Sequence, residues 1–309
     1  MWFKNLMLYR LSDSYDMTPE ELEAYMETQA FVPCGNQDQS RYGWIPPLGR
    51  EGTMLTHVTD GYIMICAKKQ ERIIPAAVVK EALEEKVLEI ESAQDRKVYK
   101  KEKDQLKDEI MQTLMPRAFL RSQVIYAYIS PKDKLIVINS SSANKAEEMI
   151  QCLRESIGTF PVIPPVSKNA PADVLTQWME GSALPEKFDV ERECELADPL
   201  EEGNSIRCKE QDLDAQEIQA HLSAGKRVVK LGVSWDEAIQ CVISDDLSIK
   251  RLKFNEMIQE KAESADAESM AQQFDQDFAV MSLLLSDFFK DLFKAFGGLK
   301  RRTKGAVLE

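Results

Sequence analysis

The chain has 309 residues and a formal net charge of −13, a length that allows one large domain or two to three smaller ones. No apolar run is long enough to cross a membrane, and the early charges Arg10 and Asp16 argue against a signal peptide, so we expect a cytoplasmic protein. The six cysteines form no C-x-x-C pair, which indicates free thiols. Strong acidity argues against nucleic-acid binding over the whole surface, but not on one basic face.

The first third of the sequence predicts strands at 3–12 and 62–67 with a helix between them. Thr18-Pro19 predicts the start of that helix, because Thr caps helices and Pro suits the first helical position. Residues 76–114 contain no Gly or Pro and carry an apolar stripe at helical spacing. The stripe fades between 91 and 105, so we expect this long segment to project as an arm or to turn back. Pro116 ends it.

The rest of the chain predicts hairpins and short helices. A hairpin at 124–129 and 135–138 precedes a helix from Ser142 to Gly158, and the prolines between Pro161 and Pro171 indicate a linker. The second half predicts helices at 173–179 and 212–224 and strands at 187–192, 205–209, 227–235, 238–243 and 248–254. A final helix carries an aromatic stripe from Phe274 to Phe296, typical of a core or a partner face. Strands in hairpins favour an α+β fold.

Enzyme motifs are missing from the sequence. There is no Walker loop, no G-x-S-x-G and no H-E-x-x-H, and the two histidines, His57 and His221, are more typical of structural or surface positions. A zinc site from Cys34, His57 and Cys66 is conceivable, although such cysteines usually behave as small buried hydrophobes. The pair Asp245-Asp246 could hold a metal but is typical of a solvated turn. We therefore expect no enzymatic activity, cofactor or metal.

Basic side chains concentrate in the long helical segment, at Arg96, Lys97, Lys100, Lys101, Lys103 and Lys107. Helical spacing would place Arg96, Lys100, Lys103 and Lys107 on one face, which suits a phosphate backbone that releases counterions when it is neutralised. The alternative is a solvated helix balanced by the acids Glu84, Glu85, Glu89 and Glu91.

Three further basic groups lie on predicted strands: Arg207 with Lys209, then Lys226, Arg227 and Lys230, then Lys250, Arg251 and Lys253. Strand lysines often protect sheet edges. However, all three groups lie in the second half of the chain, which is the more acidic half, and this suggests a shared positive face. DNA held in this way would be contacted through phosphates, with little sequence preference.

Several stretches, in order along the chain, resemble the RdgC family. They are Met1-Trp2-Phe3-Lys4-Asn5-Leu6, Tyr9-Arg10-Leu11, Pro33-Cys34-Gly35, Leu55-Thr56-His57-Val58, Lys97-Val98-Tyr99-Lys100-Lys101-Glu102-Lys103-Asp104-Gln105-Leu106-Lys107-Asp108-Glu109, Leu114-Met115-Pro116-Arg117-Ala118-Phe119, Lys145-Ala146-Glu147-Glu148, Lys209-Glu210-Gln211-Asp212-Leu213 and Lys250-Arg251-Leu252-Lys253-Phe254. One short motif recurs by chance, whereas an ordered set from end to end identifies a family.

The resemblance implies a multi-lobed, horseshoe-shaped α+β monomer with antiparallel sheets, which pairs at both ends into a ring-shaped homodimer. Its domains would be a central part at 1–75, a finger or tip at 76–165, and a base or hinge at 166–309. Duplex DNA would pass through a positively lined hole, with single-stranded DNA as a further ligand. The family restrains RecA-promoted strand exchange on the bacterial nucleoid and has no known catalytic activity, cofactor or membrane association.

The resemblance also assigns roles to particular residues. Phe119 matches the aromatic residue where two finger tips meet, and Lys209 and Gln211 match the hinge of the ring. Glu210 stands between them where relatives carry a basic residue. The expected DNA contacts are Arg96, Lys97, Lys100, Lys101, Lys103, Lys107, Arg117, Arg121, Lys209, Gln211, Lys226 and Arg227.

Two rival hypotheses remain from the sequence. The acidic second half and the aromatic stripe at 274–296 would also suit a protein-interaction factor that acts directly on RecA or another recombination protein. The carboxylate pair at Asp245-Asp246 would suit a metal-dependent nuclease.

Overall fold

The computed structural model describes residues 1–12, 15–182, 184–201, 203–264, 267 and 269–300. Its helices and strands follow one another as β1 Leu6–Leu11, α1 Pro19–Glu27, β2 Ser40–Trp44, β3 Thr56–Thr59, β4 Tyr62–Ile73, α2 Ala76–Gln94, α3 Lys100–Leu114, β5 Phe119–Ser130, β6 Leu135–Asn139, α4 Ala143–Ile157, β7 Val162–Ile163, α5 Pro171–Met179, β8 Phe188–Ala197, β9 Ser205–Lys209, α6 Gln216–Ser223, β10 Arg227–Trp235, β11 Ile239–Ser244, β12 Ile249–Phe254, α7 Glu256–Ser264 and α8 Met270–Ala295.

The strands form one antiparallel sheet that runs through both halves of the chain. The strand order is β2-β4-β5-β6-β1-β12-β11-β10-β8-β9, with β3 paired to β4 and β7 paired to β1. Leu6 on β1 pairs with Ile249 on β12, and this contact joins the strands of the two halves. The predicted α+β class with antiparallel strands is confirmed, while the horseshoe, the ring and the domain boundaries stay predictions.

The sheet separates two large cores, and strand β4 contributes to both. Ile63 and Ile65 pack on one side with α1 and α4, whereas Tyr62 and Met64 pack on the other side with α8. Successive side chains of a strand point to opposite faces, so the continuous apolar run at 62–67 fills both cores at once. The sequence-based prediction of a mid-sheet strand is confirmed.

Helix α8 carries the aromatic stripe into the larger core. Phe278, Phe288 and Phe296 are fully buried there, and Phe288 packs edge-on to Trp235 with ring centroids 5.6 Å apart. The stripe is therefore a core face of the chain. This removes one of the two observations behind the protein-interaction hypothesis, because a buried face is not available to a partner.

Residues 68–124 form an arm, made of the outer parts of β4 and β5 and the helices α2 and α3. The two strands stay paired out to Ile73 opposite Phe119. A left-handed residue, Asp95 with φ of 46°, ends α2, and the chain turns back into α3. A small apolar cluster holds the two helices together, formed by Val87, Val98 and Leu106 with Leu83 and Ile90. The prediction that the segment turns back is confirmed.

Three local predictions have different outcomes. The helix at Thr18 begins with a capping box, as predicted, because the Thr18 hydroxyl accepts from the Glu21 amide while the Glu21 carboxylate accepts from the Thr18 amide. The helix predicted from 212 begins only at Gln216, since the Asp212 carboxylate caps a turn by accepting from the Asp214 amide. The predicted linker after Pro161 contains β7, which pairs with β1.

None of the helices that the structure describes combines the length and the apolar composition needed to cross a membrane.

Candidate nucleic-acid interface

The second half of the sheet has one core face and one charged face. On β8, Cys194 and Leu196 lie in the larger core, while the intervening Glu193 and Glu195 point to the opposite face. The same alternation holds on β9, where Cys208 is buried and Arg207 and Lys209 are exposed. Charged side chains from several strands therefore meet on one surface.

A groove of about 260 Å³ lies on this charged face, and we call it the basic groove. Its charged lining residues are Arg207, Lys209, Lys230, Lys250, Arg251, Glu193 and Glu195, and Asn5, Cys194 and Val242 complete it. Each of the three basic groups that the sequence places on strands contributes at least one cation. The structure therefore brings these five cations together on one face, whose role in DNA binding stays a prediction.

A backbone irregularity allows two consecutive residues, Lys250 and Arg251, to line the groove together. The register between β11 and β12 shifts between Gln240 and Val242, and Arg251 has a φ of 52°, in the left-handed region. This bulge breaks the alternation that would otherwise send one of the two side chains into the core. The Arg251 amide donates to the side-chain oxygen of Asn5 at 3.1 Å, which holds the bulge in place.

Two carboxylates lie among the cations of the groove and pair with three of them. Glu195 Oε2 lies 2.9 Å from Lys230 Nζ and 2.9 Å from Arg207 Nη2, and Glu193 Oε1 lies 2.5 Å from Arg251 Nη2. Burial acts against ionisation of Glu195, but the hydrogen bonds from Lys230 and Arg207 hold its pKa below the ordinary value. The two glutamates fix the positions of three cations and weaken the positive field.

Lys209 and Lys250 are the groove cations that stay available to an outside anion. Among the described residues, no carboxylate oxygen lies within 4.0 Å of either ammonium group. Lys209 is exposed at the end of the edge strand β9, and Lys250 is partly exposed on β12, which lies between β1 and β11.

The arm carries the second set of cations. Lys100, Lys101, Lys103 and Lys107 are exposed on α3, and Lys97 is exposed in the turn before it. The sequence predicted that Arg96 shares a helical face with these lysines. That prediction is wrong, because Arg96 lies in the turn between α2 and α3. Its guanidinium binds both carboxylate oxygens of Glu102, at 2.7 and 2.6 Å. The helical row of cations therefore consists of Lys100, Lys103 and Lys107.

An exposed apolar group marks the place where β5 begins. Phe119 is 86% exposed, and its cross-strand partner Ile73 and its neighbour Leu120 are exposed as well. Arg117 and Arg121, which belong to the expected DNA contacts, are exposed on either side of Phe119. The resemblance implies that Phe119 is buried only where two chains meet. A phenylalanine at such a position is expected to be exposed in the single chain, as Phe119 is.

Residues near the predicted hinge are held by local contacts. Gln211 donates to the Glu217 side chain, and Glu210 has a φ of 52°. Lys226 is only 8% exposed, and its ammonium donates to the side-chain oxygen of Asn204 at 2.6 Å. Arg227 Nε lies 3.6 Å from Asp173 Oδ1 on α5. The Lys226 ammonium therefore has little surface to offer a phosphate.

Two residues of the candidate zinc site, Cys34 and His57, form hydrogen bonds with other residues. His57 Nε2 lies 2.9 Å from Asp275 Oδ1 on α8, and the Cys34 thiol donates to the Gln70 carbonyl. Burial, with Asp246 adding to it, raises the pKa of Asp245. In the described part of the chain, no group of three or more His, Cys, Asp or Glu side chains could hold a metal ion.

The fold and the site define an α+β protein with a charged, groove-bearing sheet face and an exposed basic arm. The chain belongs to the RdgC family, because the family model described as "Putative exonuclease, RdgC" matches residues 1–299. The resemblance found in the sequence is therefore confirmed.

Relatives that carry the name "Recombination-associated protein RdgC" match over almost their whole length. The protein from Aeromonas hydrophila is 48% identical over 298 residues, which cover 96% of this chain and 98% of the relative. A protein from Pseudomonas putida is 46% identical over 299 residues, with 96% and 98% covered. A protein from Yersinia enterocolitica is 43% identical over 298 residues, again with 96% and 98% covered.

Proposed function

We propose that this chain is a non-catalytic protein that binds duplex DNA through its phosphates, with little sequence preference. The observation that carries the proposal is the convergence of Arg207, Lys209, Lys230, Lys250 and Arg251 on one groove of an otherwise acidic chain. Cations that replace the counterions of DNA bind any sequence, since the phosphates are the same along the duplex. An acidic exterior with local positive faces reconciles the net charge of −13 with DNA binding.

The second part of the proposal is a homodimer that closes around the duplex. Phe119 would meet its equivalent at the arm tips, and Lys209 and Gln211 would lie at the hinge. The exposed lysines of α3 and its preceding turn would then add phosphate contacts from the arm, also to single-stranded DNA. Exposure of Phe119 and its apolar neighbours supports this arrangement, because large exposed apolar groups usually mark contact surfaces.

The third part of the proposal concerns the biological role. By occupying duplex DNA on the nucleoid, in the cytoplasm, the dimer would restrain RecA-promoted strand exchange. The names of the relatives, which associate those proteins with recombination, support this role.

Duplex binding is tested by fluorescence anisotropy with two unrelated sequences over a range of salt concentrations. We expect the double variant Lys209→Gln/Lys250→Gln to bind both duplexes more weakly by the same factor. Its slope of log affinity against log salt should fall by about 1.8, at about 0.9 for each phosphate contact. The matched control is Lys168→Gln/Lys290→Gln, whose exposed lysines lie outside the groove. Absence of duplex binding by the native chain at low salt would overturn the proposal.

Two assays separate the proposal from its rivals. The family description names an exonuclease, so linear duplex and plasmid are incubated with the protein and magnesium or manganese. Unchanged DNA supports a non-catalytic role, and shortened strands contradict it. A direct partner role is examined by co-precipitation with RecA, before and after nuclease treatment. Association that survives the removal of DNA would favour the protein-interaction factor.

A further inference from the structure

Cys194 and Cys208 lie directly opposite each other on the neighbouring antiparallel strands β8 and β9. Both side chains point into the larger core, with exposures of 1% and 7%. The other strand cysteines have different partners, since Cys66 lies opposite Tyr126 and Cys241 lies opposite Val233. The juxtaposition of two thiols is thus particular to the β8–β9 pair.

The spacing of this pair is close to that of a disulfide. Directly opposed residues of an antiparallel pair have Cβ atoms about 4.5–5.5 Å apart, and a disulfide needs about 3.5–4.5 Å. The strands must therefore approach by about 1 Å at this position. Strand β9 can make this adjustment more easily than a central strand, because it stands at the end of the strand order and pairs with β8.

We propose that Cys194 and Cys208 are a modification site, at which a low-molecular-weight disulfide such as glutathione disulfide converts two thiols into a cross-strand disulfide. The Cys208 thiol loses its proton and attacks the reagent, which forms a mixed disulfide and releases one reduced glutathione. The Cys194 thiol then loses its proton, attacks the Cys208 sulfur and releases the second glutathione. The two cysteines are oxidised, and one glutathione disulfide is reduced to two thiols.

The burial of the pair determines how the reaction proceeds. Burial first, and the neighbouring Cys208 thiol second, raise the pKa of Cys194 to about 12. The first attack falls to Cys208, because it is the more exposed of the two cysteines and lies on the short edge strand β9. Reaction requires local opening of β9, which is easier at a sheet edge than in the middle of a core.

The disulfide would fix one border of the basic groove. The residue pairs on either side of the cysteines are Glu193 with Lys209 and Glu195 with Arg207, and these four side chains line the groove. A covalent bond between the strands prevents β9 from separating from β8, so Arg207 and Lys209 stay in register with their partners. The disulfide can form whether or not the groove binds DNA.

The test is prolonged incubation of the native full-length chain with excess glutathione disulfide, followed by peptide mapping without reduction. We expect a linked peptide that contains Cys194 and Cys208. Amide hydrogen exchange at residues 205–209 should slow by at least roughly tenfold, because the disulfide removes the local opening of β9.

Two variants complete the test. Cys241→Ser removes another buried strand cysteine and should leave the linked peptide unchanged, while Cys208→Ser should abolish it. Free thiols at both positions after the incubation would overturn the proposal. Glutathione held stably at either cysteine would overturn it too, because the second exchange step would then have failed.

Discussion

Glu195 on β8 and Lys230 on β10 form an ion pair across the charged face of the sheet, with 2.9 Å between Oε2 and Nζ. The same carboxylate oxygen also contacts Arg207 on β9. The Glu195 carboxylate therefore holds two cations, one from each of the two strands beside β8. The Glu195 side chain is only 16% exposed, so it holds these cations from within the sheet face and reduces the positive potential of the groove.

The first prediction is that Glu195→Gln binds duplex DNA more tightly than the native chain. Removal of the negative charge frees the charges of Lys230 and Arg207 for phosphate, and we expect a gain of roughly two- to fivefold at low salt. The gain should shrink as salt screens the groove. Fluorescence anisotropy measures it, with Glu27→Gln on α1 as an exposed control. An unchanged or weaker affinity of Glu195→Gln would show that DNA does not use the groove.

The second prediction concerns the arm. The triple variant Lys97→Gln/Lys100→Gln/Lys101→Gln should lose affinity equally for unrelated duplexes, because its cations face phosphates and not bases. If each lysine neutralises one phosphate, the salt slope falls by about 2.7. Lys80→Gln/Lys86→Gln is the matched control on α2, where both lysines already pair with glutamates of the same helix. A loss that depended on sequence would contradict phosphate contact.

Local patterns were sufficient to predict most elements of the fold, and long-range pairing was not predictable from them. The cap at Thr18 and the apolar run at 62–67 are decided by neighbouring residues, and both predictions are confirmed. The pairing of Leu6 with Ile249 joins strands that lie far apart in the chain. Hydrophobic periodicity indicates which residues are buried, but not which distant strand lies beside them.

The candidate site was predictable in composition and not in arrangement. Charge clustering identified the basic groups that contain Lys209, Lys230 and Lys250, because each is visible in a short window of sequence. The alternation of Glu193 and Glu195 around Cys194 could have indicated acids on the same face. The bulge at Arg251 had no such signal, since a left-handed conformation of an arginine follows from packing against Asn5 and not from propensity.

The third prediction is a loss of stability at alkaline pH that depends on Cys66. Burial raises the pKa of this thiol from its ordinary value of 9.0 to about 12, and a hydrogen bond with Tyr126 opposes part of the shift. The folded chain keeps this proton longer than the unfolded chain does. The stabilisation is therefore complete below pH 9 and is lost as the pH rises towards 12.

Between about pH 8 and about pH 10.5, Cys66 alone should remove roughly 2 kcal/mol from the free energy of unfolding. Urea unfolding at the two pH values measures the change. Cys66→Ala should show a smaller decrease with pH than the native chain, whatever its stability at pH 8, and Cys34→Ala should show the native decrease. The same pH dependence in all three proteins would contradict the role assigned to burial.

The fourth prediction is that Phe119→Ala weakens the proposed homodimer without destabilising the single chain. Because Phe119 is 86% exposed, its removal creates no cavity in the core, and surface changes usually alter stability by less than about 0.5 kcal/mol. An aromatic residue buried between two protomers typically contributes about 2 kcal/mol or more, so dimer dissociation should increase roughly thirtyfold. Sedimentation equilibrium measures it, with the exposed arm residue Leu88→Ala as control. Equal dissociation of both variants would place the interface elsewhere.

The fifth prediction tests a buried hydrogen bond between α5 and β10. The Thr176 hydroxyl donates to the Ala172 carbonyl at 2.6 Å and accepts from the Val228 amide at 3.0 Å. Both residues are buried, so Thr176→Val leaves the Val228 amide without this acceptor and should lower the free energy of unfolding by about 1–3 kcal/mol. Thr113→Val is the matched control, because the exposed Thr113 hydroxyl donates only to its own helix, at the Glu109 carbonyl. Chemical denaturation compares the two variants. Equal stabilities of the two variants would mean that the Val228 amide finds another acceptor. The contact between α5 and the sheet would then depend on apolar packing.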